Sequence, residues 1–328
     1  MANLIGHVVD NYEFVELLGR GGMGTVYKAY DIKLQRNVAI KIIDESLIEN
    51  NSSFLERFRR VARNQAQLVH PNVVVVYGFI EYDDVIGIVM EHVKGHSIDR
   101  ILRKQGRLHM RDAIHIMKEA LAGLGYAHSK GFVHRDIKPS NIMIEPGGAV
   151  KIMDFGISKS IFEKGVTKTG ANIGTAYYMS PEQIRAQEVT HHTDIYSMGC
   201  TLYEILTGEP PFSFESEYEL FEAHLSKNPT RPSRKYPDIP ASLDAVVLQA
   251  MNKKYYERFN SCRDFSNALD VLEEKIPKVT SSSSVQTKQK TSTAGVLFIV
   301  FFLIFISVII YFLFTNMDIF LKDNPFTK

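Results

Sequence analysis

The stretch HRDIKPSN, residues 134–141, sets four charged or ionisable side chains and an amide directly behind an apolar lead-in, Gly131-Phe132-Val133. Such a cluster beside a core is either a satisfied polar loop or a reaction centre, and a lone aspartate would be read as the former. The rest of the chain decides between them. KIMDFG, residues 151–156, places Asp154 after a predicted strand in a turn closed by glycine, where a carboxylate ligates Mg²⁺ when phosphates are near. Within HRDIKPSN, Asp136 has the chemistry to accept a hydroxyl proton, Lys138 to hold a moving phosphoryl charge, and Asn141 to lend a neutral oxygen to a second metal.

Upstream, GRGGMGTV (Gly19 to Val26) follows the apolar run YEFVELL and precedes another strand-like run, VYKAY, so its glycines belong to a hairpin. That context disfavours a dinucleotide fold, whose glycines open a helix. A strand-loop-strand lets backbone N–H groups lie over phosphates without side-chain obstruction, although a hairpin glycine alone is weak grounds for a ligand. Lys41, in VAIK, is a cation within an otherwise apolar strand; taken singly it reads as a snorkelling edge lysine. GxGxxGxV, VAIK, HRDxxxxN and DFG in one order and spacing make the bland readings improbable together.

Organisation follows from pattern. Up to about residue 94 the apolar residues alternate or run in short β-branched groups, among them NVVVVYGFI (72–80), interrupted by one helical stretch, SFLERFRRVARNQAQL (53–68). Beyond residue 95, segments such as 111–131 and TDIYSMGCTLYEILTG (193–208) show helical spacing, the second ending on a glycine stop. Residues 294–314, AGVLFIVFFLIFISVIIYFLF, carry no charge and as a helix would span roughly 31 Å, matching a bilayer core. The Ser/Thr/Lys-rich stretch 276–293 reads as a flexible linker, and 315–328 as a short tail beyond the membrane. The formal charge of +1 gives no overall reason to expect nucleic acid. Cys200 and Cys262 lack metal-type spacing and fit a reducing compartment.

These motifs, with HPNVVVVYG (70–78), VMEHVKG (89–95), GTAYYMSPEQ (174–183) and TDIYSMGCTLYEILTGEPPF (193–212), resemble the protein kinase family, specifically the membrane-anchored bacterial serine/threonine kinases of the eukaryotic-like (Hanks) type. The resemblance covers residues 5–275. It implies an α+β bilobal fold, a small β-sheet with one helix followed by a mainly helical lobe, here continued by a single C-terminal transmembrane helix. It also implies transfer of the ATP γ-phosphoryl group to Ser/Thr hydroxyls of protein substrates. Gly19, Gly21, Gly24 and Val26 would then cover ATP, Ala39 would lie against the adenine, and Lys41 would hold the α and β phosphates. Glu91 and Val93 would offer backbone groups to the adenine edge, and Met90 would limit pocket depth. Asp136 would be the catalytic base assisted by Lys138, while Asn141 and Asp154 would bind Mg²⁺, with Mn²⁺ left open. Lys138 with Gly174-Thr175 resembles the serine/threonine branch. Thr167 and Thr169 sit where related kinases autophosphorylate, and a phosphate there could pair with Arg135. Glu182 would bridge to Arg258, and Asp194 would hold the catalytic-loop backbone.

One departure stands out. The family expects a lysine-pairing glutamate where this chain has Val61. Phe54, Phe58, Val61 and Leu68 form one apolar face; Glu56 lies about 140° away from Val61 around the helix and cannot substitute, whereas Gln65 on the same face could offer an amide oxygen. Lys41 must therefore find its partner in Asp154, in the nucleotide phosphates or in Gln65. Two readings stay open: an active kinase, or a pseudokinase scaffold impaired by Val61. Expected partners are ATP, protein substrates and, through residues 294–314, a lipid bilayer, with a homodimer left open and no nucleic acid. Because ATP is cytosolic, the kinase portion is expected in the cytoplasm and the C-terminal tail outside the cell membrane.

Overall fold

Strand Arg36–Ile43, RNVAIKII, buries all of its last six residues, as a central strand does when both faces of its sheet are covered. The computed structural model describes residues 3–21, 24–44, 54–82, 85–155 and 173–275, all within a unit bounded by Met1 and Ile276. Residues 156–172, with Thr167 and Thr169, and residues 276–328, with the apolar span 294–314, lie outside the described residues. Among the described residues no helix is long and apolar enough to cross a membrane.

The first six strands are β1 (Val8–Val9), β2 (Tyr12–Gly21), β3 (Gly24–Asp31), β4 (Arg36–Ile43), β5 (Val76–Tyr82) and β6 (Val85–Glu91). They form an antiparallel sheet in the order β1-β2-β3-β4-β6-β5. The two-residue period of β4 separates two cores. Val38, Ile40 and Ile42 meet Phe14, Tyr27 and Ala29 on one face, whereas Ala39 and Ile43 meet Phe54, Phe58, Val61 and Ala62 of helix α1 (Phe54–Gln65) on the other. Phe58 is fully buried there, which favours folding by roughly 1.5–3 kcal/mol. The same parity puts Lys41 on the α1 side. β2 and β3 pair until Gly21 faces Gly24. At Gly24, φ is +147° and a Cβ would lie 1.8 Å from the Ile42 carbonyl oxygen, so glycine is required.

The remaining strands and α-helices among the described residues are β7 (His96–Ser97), α2 (Ile98–Gln105), α3 (Met110–Ser129), β8 (Ile142–Ile144), β9 (Val150–Ile152), α4 (Ile173–Ala176), α5 (Pro181–Ile184), α6 (His191–Thr207), α7 (Glu217–Ser226), α8 (Pro232–Lys235), α9 (Ala241–Ala250) and α10 (Cys262–Lys275), with short 3₁₀ turns at Pro139–Asn141 and Tyr255–Glu257. α6 is buried around almost its whole circumference, as befits a core helix, and ends on Gly208 in the left-handed conformation, whose N–H donates to the Glu204 carbonyl. α9 packs on α6 and α10 on α3. A Cβ at Gly199 of α6 would come 2.8 Å from that of Ala250, so the missing side chain permits this close crossing with α9.

Two boundaries differ from the sequence reading. α1 stops at Gln65 because Gln67 and Leu68 turn their N–H groups back to the carbonyls of Asn64 and Gln65, although Leu68 stays buried. The run Val73–Val75 does not begin β5. The N–H of Val74 donates to the Ile152 carbonyl and the N–H of Ile152 to the Asn72 carbonyl, tying the chain after α1 to β9.

Candidate active site

β8 and β9 pair antiparallel, Ile142 opposite Ile152, and this hairpin brings the two polar motifs together. The catalytic-loop candidates precede β8 and Asp154 follows β9. Between them, the N–H of Met153 donates to the Asn141 carbonyl at 3.0 Å, and a ring nitrogen of His134 lies 2.9 Å from the Met153 carbonyl.

Asp136 is buried at 8% exposure, with Oδ2 2.9 Å from Lys138 Nζ and 3.2 Å from Asn141 Nδ2. Lys138 Nζ also donates to Thr175 Oγ1 at 2.9 Å, joining this loop to α4. Asn141 Nδ2 donates to the Asp136 carbonyl as well, at 2.7 Å, which fixes the amide and turns Oδ1 away from Asp136. Asp154 has φ +63°, a left-handed conformation that aspartate tolerates better than most side chains. Its Oδ1 accepts from Lys41 Nζ at 2.9 Å, and both side chains are largely buried. Val61 supplies no carboxylate and belongs to the apolar cluster with Ala39 and Met90. Of the three partners open to Lys41, Asp154 is the one the structure shows. Gln65 acts with the other end of its amide from that expected: Nε2 donates to the Phe155 carbonyl at 2.5 Å, while Oε1 is buried without a partner.

Residues of β3, β4 and β6 come together on the α1 side of the sheet. Val26 faces Lys41 across the ladder, and Ala39 faces Met90. Val26, Ala39, Met90, Val93 and Met153 share one apolar cluster, the last from the KIMDFG stretch beside Asp154. A Cβ at Gly19 or Gly21 would meet nothing within 4 Å, so the backbone there borders open space. The N–H of Glu91 is taken by the Val75 carbonyl and its carboxylate by Lys151 at 2.9 Å, so the group Glu91 can offer a ligand is its carbonyl.

Behind the loop, Asp194 is fully buried and accepts from the backbone N–H groups of His134 and Arg135 at 2.7 and 2.8 Å; His128 Nε2 is 2.8 Å away. Burial works to raise this carboxyl, yet the hydrogen bond and charge of His128 and the charge and N–H of His134 outweigh it and hold it below the ordinary value. Arg135 has φ +68°, a strained conformation pinned by Asp194 and by Gln183, whose amide donates to the Arg135 carbonyl at 2.9 Å. Glu182 and Arg258 are joined by two bonds, 2.7 and 2.9 Å, with Thr193 Oγ1 a third donor at 2.7 Å. Met153 lies in KIMDFG, Gln183 in GTAYYMSPEQ and His128 in the helical segment 111–131, yet none of these patterns signals the contact each one makes.

The donor set fits a hard cation. Asn141 and Asp154 provide oxygens on either side of the Met153 link, and no group of three or more His, Cys, Asp or Glu among the described residues could hold a metal by itself. Mg²⁺ suits such a partial set because nucleotide phosphates and water complete its octahedron.

Comparison with known proteins agrees with this geometry. The family described as "Protein kinase domain" matches residues 12–272. The chain is 44% identical over 264 residues to the serine/threonine-protein kinase PknB of Mycolicibacterium smegmatis, covering 79% of this chain and 42% of that protein. It is 38% identical over 262 residues to the serine/threonine-protein kinase PrkC of Bacillus subtilis, covering 80% and 40%. It thus spans about two-fifths of the length of these curated relatives. The crystal structure of the PknI kinase domain of Mycobacterium tuberculosis superposes with a TM-score of 0.67 at 26% identity, covering 83% of this chain and 100% of that one.

Proposed function

The chain belongs to the protein kinase family, and from that premise we propose that it is an ATP-dependent serine/threonine protein kinase. The observation that carries the reading is Lys138 held between Asp136 and Thr175, 2.9 Å from each, in a loop shared with Asn141 and linked to Asp154. In the proposed step Asp136 takes the proton of a protein Ser or Thr hydroxyl as that oxygen bonds to the γ-phosphorus. The bond from that phosphorus to the β–γ bridging oxygen breaks, ADP leaves, and Asp136 returns the proton to solvent. Lys138 and Thr175 hold the accepting side of the transfer, and Lys41 turns from Asp154 towards the α and β phosphates when nucleotide enters. Val26, Ala39, Met90 and Val93 enclose the adenine, Gly19, Gly21 and Gly24 lie over the phosphates, and Glu91 meets the adenine edge through its carbonyl. Asn141 and Asp154 would hold Mg²⁺, which supplies neutralising charge at the phosphates when bound.

Regulation and placement belong to the same proposal. Thr167 and Thr169 are autophosphorylated, and Arg135 receives the phosphate. Residues 294–314 anchor the protein in the cell membrane, with the kinase portion in the cytoplasm and the tail outside. The uncharged character of that span and the cytosolic supply of ATP support this placement. Incubating the full chain in detergent with labelled ATP, Mg²⁺ and a general protein substrate should yield phosphoserine and phosphothreonine, with label also on residues 166–175. Nucleotide binding without any transfer would mark a scaffold instead. A tag at Lys328 that is shielded in intact cells, with one at Ala2 exposed, would overturn the orientation.

A further inference from the structure

We propose that Gln65 is a positioning residue that ties helix α1 to the turn bearing Asp154. The proposal leans on the kinase reading only in naming Mg²⁺-nucleotide as what Asp154 engages. The buried face of α1 is Phe54, Phe58, Val61 and Ala62, all apolar, and then Gln65 at 6% exposure. Packing alone would be served by leucine, and the amide leaves its Oε1 buried with no partner, a state that folded proteins avoid. What the amide gains is one bond to a residue ninety positions along the chain, from Nε2 to the Phe155 carbonyl at 2.5 Å.

The place of that bond gives it meaning. Asp154 sits at φ +63°, and the residues on either side of it are fastened. Before it, Met153 is held through its N–H by Asn141 and through its carbonyl by His134, both in the catalytic loop. After it, Phe155 is held through its carbonyl by Gln65 and lies against His134, ring centroids 4.6 Å apart. Of these fastenings to the flanking residues, Gln65 is the one that comes from the helix beside the sheet. With Val61 apolar, α1 offers Lys41 no carboxylate, and among the described residues Gln65 is a polar link by which the position of α1 is felt at Asp154. If Phe155 is released, Asp154 can leave its left-handed conformation, and its carboxylate no longer points where Lys41 and a cation need it.

The test measures affinity for a non-hydrolysable ATP analogue with and without Mg²⁺, together with thermal stability and turnover, on the full chain. Gln65→Leu should melt at or above the wild-type temperature and bind the analogue normally without Mg²⁺. The gain in affinity on adding Mg²⁺, and the turnover number, should fall about 5- to 10-fold, the worth of one hydrogen bond. Gln65→Glu keeps the shape but has no donor when ionised, and should lose the Mg²⁺ gain as well; Gln65→Met repeats the test if the leucine variant does not fold. A wild-type Mg²⁺ gain in these variants would overturn the proposal. So would a lowered melting temperature with equal loss of binding in both conditions, which would make Gln65 a packing residue. Wild-type protein that shows the Mg²⁺ gain yet transfers no phosphoryl group would sink the kinase reading and leave this one standing.

Discussion

Asp136 holds its carboxylate between a cation, Lys138, and an amide, Asn141, and each contact serves a different end. Replacing Asp136 by Asn should preserve nucleotide binding, because the partners of its carboxylate are Lys138 and Asn141 and not the apolar cluster of Val26, Ala39, Met90 and Val93, and should lower phosphoryl transfer by about 10²–10⁴, the range of general-base catalysis. A quenched-flow or steady-state assay paired with nucleotide titration checks both halves, and unchanged transfer would end the assignment. Lys41 and Val61 form a second residue-scale case. Lys41→Met should abolish activity while leaving Asp154 buried and unpaired. Val61→Glu adds a carboxylate at 9% exposure within the apolar cluster. If the new group reaches Lys41 it frees Asp154 for the cation, and the turnover number should rise. If it does not reach, a buried unpaired carboxylate should lower the melting temperature by several degrees, so turnover and melting read together distinguish the two.

At the scale of elements, the bond between Glu182 at the start of α5 and Arg258 ahead of α10 ties the end of the substrate-side segment to the helical core. The Arg258 side chain is wholly buried, and its Nη1 also donates to the His192 carbonyl at 2.8 Å. Removing one partner of such a pair strands the other, so Arg258→Met should cost about 3–5 kcal/mol in chemical denaturation, whereas Glu182→Gln with Arg258→Met together should recover part of that loss. This bridge was legible in the sequence, as were the hairpin at Gly21 and Gly24, the apolar face of α1 and the stop at Gly208, because each rests on local chemistry or on a shared motif. The misreadings lie where a distant partner decides. Val73–Val75 has the β-branched pattern of a strand, but its hydrogen bonds go to Ile152 and Glu91 rather than into β5. Gln65 is one of three partners the sequence leaves open for Lys41, there as an acceptor; Asp154 takes that place, and the Phe155 carbonyl, invisible to any side-chain pattern, makes Gln65 a donor.

For the whole molecule, acid stability follows from how carboxylates are held. Burial pushes Glu182 upward, but the hydrogen bond and charge of Arg258 and the Thr193 hydroxyl prevail and leave it below its ordinary value, as His128 and His134 do for Asp194. A depressed carboxyl contributes stability that is full above the unfolded value, about 4, and is lost as pH falls through the lower folded value. Glu204 runs the other way: burial raises it despite the hydrogen bond that Tyr178 donates to it, so this group costs stability above the unfolded value, and acidification towards pH 4 relieves the cost. Histidines set the next window: burial lowers His224 to about 3 and also lowers His70, His92 and His192, so charging them in the unfolded chain costs the fold stability once pH falls below about 6.5. The molecule should therefore lose stability from about pH 6.5 downward, Glu204 offsetting part of the loss, and unfold more steeply below about 4. Melting temperatures across pH 3–7 check this, with Glu204→Gln enlarging the decline between pH 6.5 and 4.5 and Glu182→Gln flattening the steep limb below 4 while lowering its plateau. A steep limb unaltered in both Glu182→Gln and Asp194→Asn would place the acid sensitivity elsewhere. Because Asp194 carries the backbone of His134 and Arg135, protonating it releases the loop that presents Asp136, so phosphoryl transfer should fail in the same pH window as the fold and not ahead of it.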